Sequence, residues 1–271
     1  MSNDIDRELL GVLKGIHLPV FRQYYSDCAV TAMNEAWSYQ QYLLELARRE
    51  YEARRCNTIE RLLRSSRLPR EKTMASFDLK LLPIKIVGQI RMLAEGAFLG
   101  RSENILAFGK PGSGKTHLLC ALCHELIQQG RRIYFTSCDL LVQQLLRAKR
   151  DLELDKLLKR LSKYEAIMID DFGYVKQDRE EMEVLFTLLA QRYEQGSVLI
   201  TSNLPFSQWE SIFKDPMTTA AAIDRLVHHS VILELNVPSY RAQEAMTRLK
   251  DPSAGSDIPP KPEGKSKNES A

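Results

Sequence analysis

The sequence of 271 residues lacks several features that would place it in a special class of proteins. No apolar run approaches about 18 residues, so no membrane span is expected. The first residues, Met-Ser-Asn-Asp-Ile-Asp, carry acids where a signal peptide would need positive charge. Five cysteines without regular spacing make a disulfide framework unexpected, and we expect a reducing, cytoplasmic location. A large excess of charge of one sign is also missing, because 38 Lys+Arg against 35 Asp+Glu give a net charge of only +3. Any basic surface must therefore be local.

Three regions differ in their hydrophobic pattern. Residues 1–75 show apolar positions at helical spacing, and Ser38 with Gln41 predicts a capping box at a helix start. Residues 246–271 are poor in apolar side chains and are expected to form a disordered tail. Between them, residues 76–245 alternate amphipathic stretches with short apolar runs, which predicts an α/β domain with a parallel sheet. The predicted strands contain Ile105–Phe108, Ile133–Phe135, Ala166–Ile169, Val198–Thr201 and Val231–Leu233.

A glycine-rich loop joins the first predicted strand, 104–108, to a predicted helix from His117 to Gln129. It reads Gly109-Lys-Pro-Gly-Ser-Gly-Lys115-Thr116 and fits the phosphate-binding pattern G-x-x-x-x-G-K-[ST] in full. Backbone N–H groups of such a loop and the helix N-terminus face phosphate oxygens. Lys115 is expected to neutralise the β- and γ-phosphates, and Thr116 to ligate Mg²⁺. The nucleotide-binding residues predicted here are Gly109, Pro111, Gly112, Ser113, Gly114, Lys115, Thr116 and His117.

Polar side chains follow two further predicted strands. Asp170 is expected to hold the Mg²⁺ shell, and Asp171 to orient or deprotonate the attacking water. Asn203 is placed to reach the γ-phosphate and that water. Turn formation or helix capping is the alternative for these side chains.

Cationic residues suggest further contacts. Arg225 has no evident partner in its own site, so it is predicted to reach a neighbouring subunit's phosphates, with a surface ion pair as the alternative. Residues 48–72 hold nine Lys/Arg against four Glu, and residues 147–163 hold seven against three acids. Each run either binds DNA phosphates or is a solvated face, and the first could equally dock a protein. The DNA-binding residues predicted are Arg54, Arg55, Arg147, Lys149, Arg150, Lys156, Lys159 and Arg160.

Taken in order, these motifs resemble those of AAA+ ATPases, and most closely the IstB-like transposition helpers, relatives of the DnaC helicase loaders. The resemblance covers about residues 10–245. It is carried by Ser38-Tyr39 with Arg48-Arg49 and Arg54-Arg55, Phe77-Asp78, Gly109–His117, Asp170-Asp-Phe-Gly-Tyr174, Arg192-Tyr-Glu194, Thr201-Ser-Asn-Leu-Pro-Phe206, Asp224-Arg-Leu-Val-His-His229 and Ser239-Tyr-Arg241.

The resemblance implies an ATP- and Mg²⁺-dependent homo-oligomer that assembles on duplex DNA and assists a transposase. It implies that Asn203 is the sensor 1 residue, Arg225 the trans-acting arginine finger and Arg241 a candidate γ-phosphate sensor. It also implies an AAA+ domain without a C-terminal helical lid. Asp171 departs from the glutamate that AAA+ proteins commonly have, which suggests slow hydrolysis. A helicase loader acting on single strands, or a nucleotide-gated DNA scaffold with negligible hydrolysis, are the alternatives.

Overall fold

A parallel sheet of five strands organises the chain in the computed structural model, which describes residues 2–173, 179–204, 208–209 and 226–240. The sheet order is β2-β3-β4-β1-β5, and every neighbouring pair is parallel. All five apolar runs of the sequence are strands, as predicted. The strands are β1 Asn104–Gly109, β2 Ile133–Ser137, β3 Ala166–Asp170, β4 Ser197–Ser202 and β5 Ser230–Leu235.

Helices cover both faces of this sheet, which is why the inner strands β3 and β4 are buried along their whole length. One face packs against α7, α8 and α9, with Leu141 and Leu185 fully buried there. The other face packs against α4 and α6, with Leu119 and Ile90 in its core. The helices of the described residues are α1 Ser2–Gly15, α2 Pro19–Asn34, α3 Tyr39–Ser66, α4 Ile84–Ala94, α5 Ala97–Gly100, α6 Lys115–Gln128, α7 Cys138–Arg150, α8 Leu154–Leu161 and α9 Arg179–Arg192.

The N-terminal helices are fixed by side chains that cap their ends. The Ser38 hydroxyl accepts from Gln41 N–H at 3.3 Å and the Gln41 side chain accepts from Ser38 N–H at 2.7 Å, which confirms the predicted capping box. Helix α2 has no capping side chain of its own. Instead Glu50 of α3, which is buried, accepts from Val20 N–H at 3.0 Å. A carboxylate at a helix N-terminus is favourable because of the helix dipole.

The first three helices are connected to the sheet domain through the end of α3. Leu62 and Leu68 lie in the apolar cluster around α6, and the His124 imidazole contacts the Pro69 carbonyl at 2.9 Å. The predicted disordered tail, 246–271, lies outside the described residues. So do the residues from 241 onward that bear on the predicted absence of a lid. Across the part of the chain that the structure describes, no helix combines the length and hydropathy needed to span a membrane.

A buried arginine holds the edge of the sheet at which β3 and β4 begin. Arg192, the last residue of α9, is 5% exposed. Its guanidinium donates to four backbone carbonyls at 2.9–3.2 Å. These belong to Leu161, Tyr164, Glu165 and Ser197. Burial lowers the pKa of Arg192 to about 10, so the side chain remains charged at neutral pH. A side chain at Gly196 would collide with this guanidinium, which explains the glycine.

Candidate nucleotide-binding site

The glycine-rich loop lies between the end of β1 and the start of α6, at the edge of the sheet where parallel strands end. Ligands bind at this edge in open α/β sheets. Helix α6 begins at Lys115, two residues before the predicted start at His117. The difference arises because Gly114 has a left-handed conformation and acts as the N-cap, so that the loop leads directly into the helix. The N-terminus of α6 is thereby aimed at the loop.

Backbone conformation and crowding explain the glycines of this loop. Gly112 has φ of 80°, and a side chain there would collide with Ser239. Gly109 has φ of 153°, and a Cβ there would come within 2.5 Å of the Leu235 carbonyl oxygen. The Ser113 hydroxyl is buried in this loop and has no hydrogen-bond partner among the described residues. Because a buried hydroxyl is rarely left unpaired, Ser113 fits a loop that receives a polar ligand.

Lys115 is 5% exposed and lies beneath the loop. Its Nζ donates to the Gly109 carbonyl at 2.8 Å, the Lys110 carbonyl at 3.0 Å and Asn203 Oδ1 at 2.6 Å. The structure therefore brings together two predicted site residues that are 88 positions apart, Lys115 and Asn203. This contact is possible because β4, which precedes Asn203, is paired with β1.

A second hydrogen-bond network surrounds Asp170, the last residue of β3. Asp170 Oδ1 accepts from Thr116 Oγ1 at 2.8 Å and from Thr201 Oγ1 at 2.6 Å. The Thr201 hydroxyl in turn accepts from Asp171 N–H at 2.9 Å. Thr116 and Asp170, the predicted Mg²⁺ ligands, are thus in direct contact. Hydroxyl and carboxylate oxygens are the donor atoms that Mg²⁺ prefers.

Asp171 follows this network with an exposed side chain and a φ of 56°. An aspartate adopts this left-handed conformation more readily than most other residues do. The conformation turns the chain sharply after β3, and Phe172 N–H then donates to the Thr201 carbonyl at 2.9 Å. Two hydrogen bonds to Thr201 therefore hold the backbone at Asp171 and Phe172. The role of its side chain in orienting or deprotonating the attacking water stays a prediction for Asp171.

Two segments flank the loop and helix α6. The His117 imidazole contacts Ser76 Oγ at 3.0 Å and the Thr73 carbonyl at 3.2 Å, and the Phe77 ring meets it edge-on with centroids 5.1 Å apart. Burial lowers the pKa of His117. On the other side, Tyr240 N–H donates to the Gly112 carbonyl at 3.0 Å. Residues 73–77 and 236–240 thus border the loop.

The predicted DNA-binding cations lie on other elements than the loop. Arg54 of α3 is engaged within its own domain, because its guanidinium donates to Glu50 at 2.8 Å and to the His17 carbonyl at 2.6 Å. Arg55 is exposed on the same helix. Lys149 pairs with Glu183 at 3.0 Å, and Lys156 with Glu153 at 2.7 Å. The remaining four, Arg147, Arg150, Lys159 and Arg160, are exposed on α7 and α8.

Not every predicted residue falls within the described residues, and one residue of the site was not predicted. Arg225 and Arg241 lie outside the described residues. The sequence motifs did not predict a role for Thr201, although a hydroxyl at a strand end beside Asn203 is a signal for one. Pro111 is exposed in the turn of the loop. No group of three or more His, Cys, Asp or Glu positioned for a metal ion occurs within the described ranges.

Comparison with known proteins agrees with this geometry. Residues 12–248 match the family of IstB-like ATP binding proteins. An insertion sequence ATP-binding protein of Sinorhizobium fredii (strain NBRC 101917 / NGR234) is 41% identical over 248 residues, covering 91% of this chain and 83% of that protein. The insertion sequence IS5376 ATP-binding protein of Geobacillus stearothermophilus is 38% identical over 229 residues, covering 84% and 91%.

Among solved structures, the DnaC helicase loader superposes with a TM-score of 0.53 at 18% identity, covering 61% of this chain and 97% of that one. At this identity the similarity concerns the fold, which is that of an AAA+ P-loop ATPase. The family match covers most of the chain, and the resemblance drawn from the motifs is confirmed. The chain belongs to the IstB-like ATP-binding protein family.

Proposed function

We propose that this protein is an ATPase that assembles on duplex DNA when ATP is bound and assists the transposase of an insertion sequence. The observation that carries the ATPase part is the joined network at the sheet edge, in which Lys115 contacts Asn203 and Thr116 contacts Asp170. The names of the relatives, insertion sequence ATP-binding proteins, support the transposition part.

In this proposal the loop binds the triphosphate of ATP. Lys115 exchanges its two backbone acceptors for phosphate oxygens, and Ser113 gains the partner it lacks among the described residues. Thr116 and Asp170 hold Mg²⁺, which neutralises phosphate charge when it is bound. Thr201 keeps the Asp170 carboxylate in place from the other side.

Hydrolysis requires two further roles. Asp171 orients the attacking water. Asn203 connects Lys115 to that water and thereby also senses the γ-phosphate. The shorter side chain of Asp171, compared with glutamate, reaches less far and makes turnover slow. Arg225 acts as the finger from a neighbouring subunit and Arg241 as a second phosphate sensor; both lie outside the described residues. ATP therefore favours assembly of copies of this chain.

Duplex DNA is bound by the α7–α8 hairpin. Its exposed cations contact phosphates, which gives affinity without sequence preference and a strong dependence on salt. On α3, Arg54 is already paired, so a contact of the 48–72 run with DNA or protein depends on its neighbours Arg48, Arg55 and Arg61. The proposed domain limits, 1–75 and 76–245, assign the hairpin to the ATPase domain.

A second candidate function is favoured by one observation, the similarity in fold to the DnaC helicase loader. In that case the chain acts on single-stranded DNA and on a replicative helicase. A nucleotide-gated scaffold without turnover is distinguished from both by measuring phosphate release.

Sedimentation velocity with labelled duplex or single-stranded DNA, each in ATP, ADP or no nucleotide, tests the proposal. We expect a large complex on duplex DNA in ATP alone. The Lys115→Met variant should fail to form it, whereas Lys110→Met, which removes an exposed charge from the same loop, should retain it. A complex confined to single strands would support the loader instead, and assembly without nucleotide would contradict the ATP-dependent mechanism.

A further inference from the structure

The turn between α7 and α8 has an unusual residue at its tip. Helix α7 ends in a pair of backbone hydrogen bonds, from Leu152 N–H to the Lys149 carbonyl at 3.2 Å and from Glu153 N–H to the Ala148 carbonyl at 2.7 Å. This pattern is a Schellman motif. Leu152 occupies its left-handed position, with φ of 57°. Glycine, and sometimes asparagine, is the usual residue there because other side chains crowd the backbone.

The side chain of Leu152 gains no burial that would offset this crowding, since it is 93% exposed. Its neighbours Ala148 and Leu154 do pack against the core, so the tip itself is held by the body of the domain. The other non-glycine residues of the described chain with positive φ carry polar side chains or, at Ala36, a methyl group. A large aliphatic side chain is therefore presented to solvent at a position where stability favours glycine.

The hairpin that carries Leu152 is net basic, although the two residues next to Leu152, Asp151 and Glu153, are acids. Residues 147–163 contain seven basic residues and three acids, Asp151, Glu153 and Asp155. Glu153 is paired with Lys156. The exposed cations for which no ion pair occurs in the described ranges lie on both helices of the hairpin: Arg147 and Arg150 on α7, and Lys159 and Arg160 on α8. An apolar tip between cations on two helices matches a duplex, whose phosphates flank stacked bases.

We propose that Leu152 is a wedge that inserts between neighbouring base pairs of duplex DNA from the minor groove and kinks it. The inference rests on the proposed duplex binding and adds how the DNA is deformed. Leucine is among the side chains that proteins use to unstack base steps in this way. Pyrimidine–purine steps such as TA unstack most easily, so the wedge favours them over stiff A-tracts. The cations bind phosphates on either side and hold the bent strand.

The test uses the full chain with a short duplex that carries 2-aminopurine at a central TA step and a fluorophore pair at its ends. Leu152→Asn is the main variant, because asparagine tolerates the left-handed position and should not disturb folding. Leu140→Gln is the matched control, since Leu140 is an exposed leucine, 56% exposed, at the opposite end of α7 from the tip. Leu152→Met retains an apolar side chain at the tip.

In ATP, we expect the wild type to increase 2-aminopurine fluorescence and bring the duplex ends together. Leu152→Asn should reduce the fluorescence increase about tenfold. Its duplex affinity should stay within about threefold of the wild type, because phosphate contacts supply most of that affinity. Leu140→Gln and Leu152→Met should behave like the wild type.

Two results would overturn the wedge. Equal unstacking and bending by Leu152→Asn and the wild type would show that the tip does not enter the duplex. Loss of ATP-dependent assembly by Leu152→Asn in the absence of DNA would assign Leu152 to a contact with another copy or a partner protein. Failure of the wild type to bind duplex at all is a different result, because it contradicts the proposed function rather than the wedge alone.

Discussion

The two ends of the central sheet use buried polar groups in different ways. Where the strands begin, Arg192 donates to four backbone carbonyls, all of them fixed parts of the fold. Where the strands end, Lys115 donates to two carbonyls of a glycine-rich loop and to Asn203.

This difference separates a structural site from a binding site. The carbonyls that accept from Arg192 belong to the fold and have no ligand atoms to replace them, so the guanidinium stabilises the fold. The acceptors of Lys115 can be replaced by phosphate oxygens, which bind a cation more strongly than neutral carbonyls do. A buried cation alone does not identify a ligand site. A buried cation marks a ligand site when its present hydrogen-bond acceptors can be exchanged for those of a ligand.

The largest effect on stability is expected from removing the guanidinium of Arg192, at the edge where the strands begin. Arg192→Met leaves the four carbonyls without their donor and should lower the free energy of unfolding by about 3 kcal/mol. Arg101→Met is the control, because Arg101 is 60% exposed and an exposed ion pair such as that with Glu103 contributes little to stability. Urea unfolding followed by circular dichroism measures both. Equal losses in the two variants would show that the buried contacts of Arg192 contribute little to stability.

Removing the charge of Lys115, at the edge where the strands end, should instead reduce ATP binding more than stability. Lys115→Met should weaken ATP binding about 100-fold, because the charge that faces the phosphates is lost. Its free energy of unfolding should change less than that of Arg192→Met. Titration calorimetry and urea unfolding measure the two quantities, with Lys110→Met as the control for charge. ATP affinity equal to that of the wild type would remove Lys115 from the site.

A smaller effect tests the support of the Mg²⁺ site. Thr201→Val removes the donor to Asp170 and the acceptor for Asp171 N–H, and it should lower ATP hydrolysis about tenfold. Thr201→Ser should restore it. Thr136→Val removes a similarly buried hydroxyl from the end of β2, where it donates only to the neighbouring Ser137 carbonyl. If both valine variants slow hydrolysis equally, the contacts of Thr201 have no specific role.

The smallest effect concerns the segment that borders the loop. Burial holds the pKa of His117 below 6.5, so the unfolded chain binds the proton more readily than the folded one. The stability contributed by neutral His117 is therefore present above pH 6.5 and decreases as the pH falls below it. His117→Gln should lack this component, so the wild type should lose more stability than the variant between pH 7.5 and pH 5.5. Identical pH profiles in thermal unfolding would contradict this assignment.

Much of the binding end was predictable from the sequence. The five strands have apolar centres because helices cover both faces of the sheet, and the loop between β1 and α6 has a spacing that is rare without its ligand. Neighbouring strands then place Lys115, Asp170 and Asn203 at one edge.

The contacts that were not predicted depend on long-range pairing. Thr201 meets Asp170 across 31 residues, and Glu50 caps a helix 30 residues away. Arg192 contacts carbonyls up to 31 residues before it. A backbone carbonyl or N–H has no residue type, so the sequence pattern carries no sign of the partners of Arg192 and Glu50. Polar residues that act through such partners become visible only in the folded chain.

The most direct measurement is a crystal structure with Mg²⁺ and a non-hydrolysable ATP analogue. We expect Lys115 Nζ to leave the Gly109 and Lys110 carbonyls and bind phosphate oxygens, while all four contacts of Arg192 stay as they are. A bound analogue with Lys115 still on the two carbonyls would contradict the claim that this end of the sheet exchanges its partners for the nucleotide.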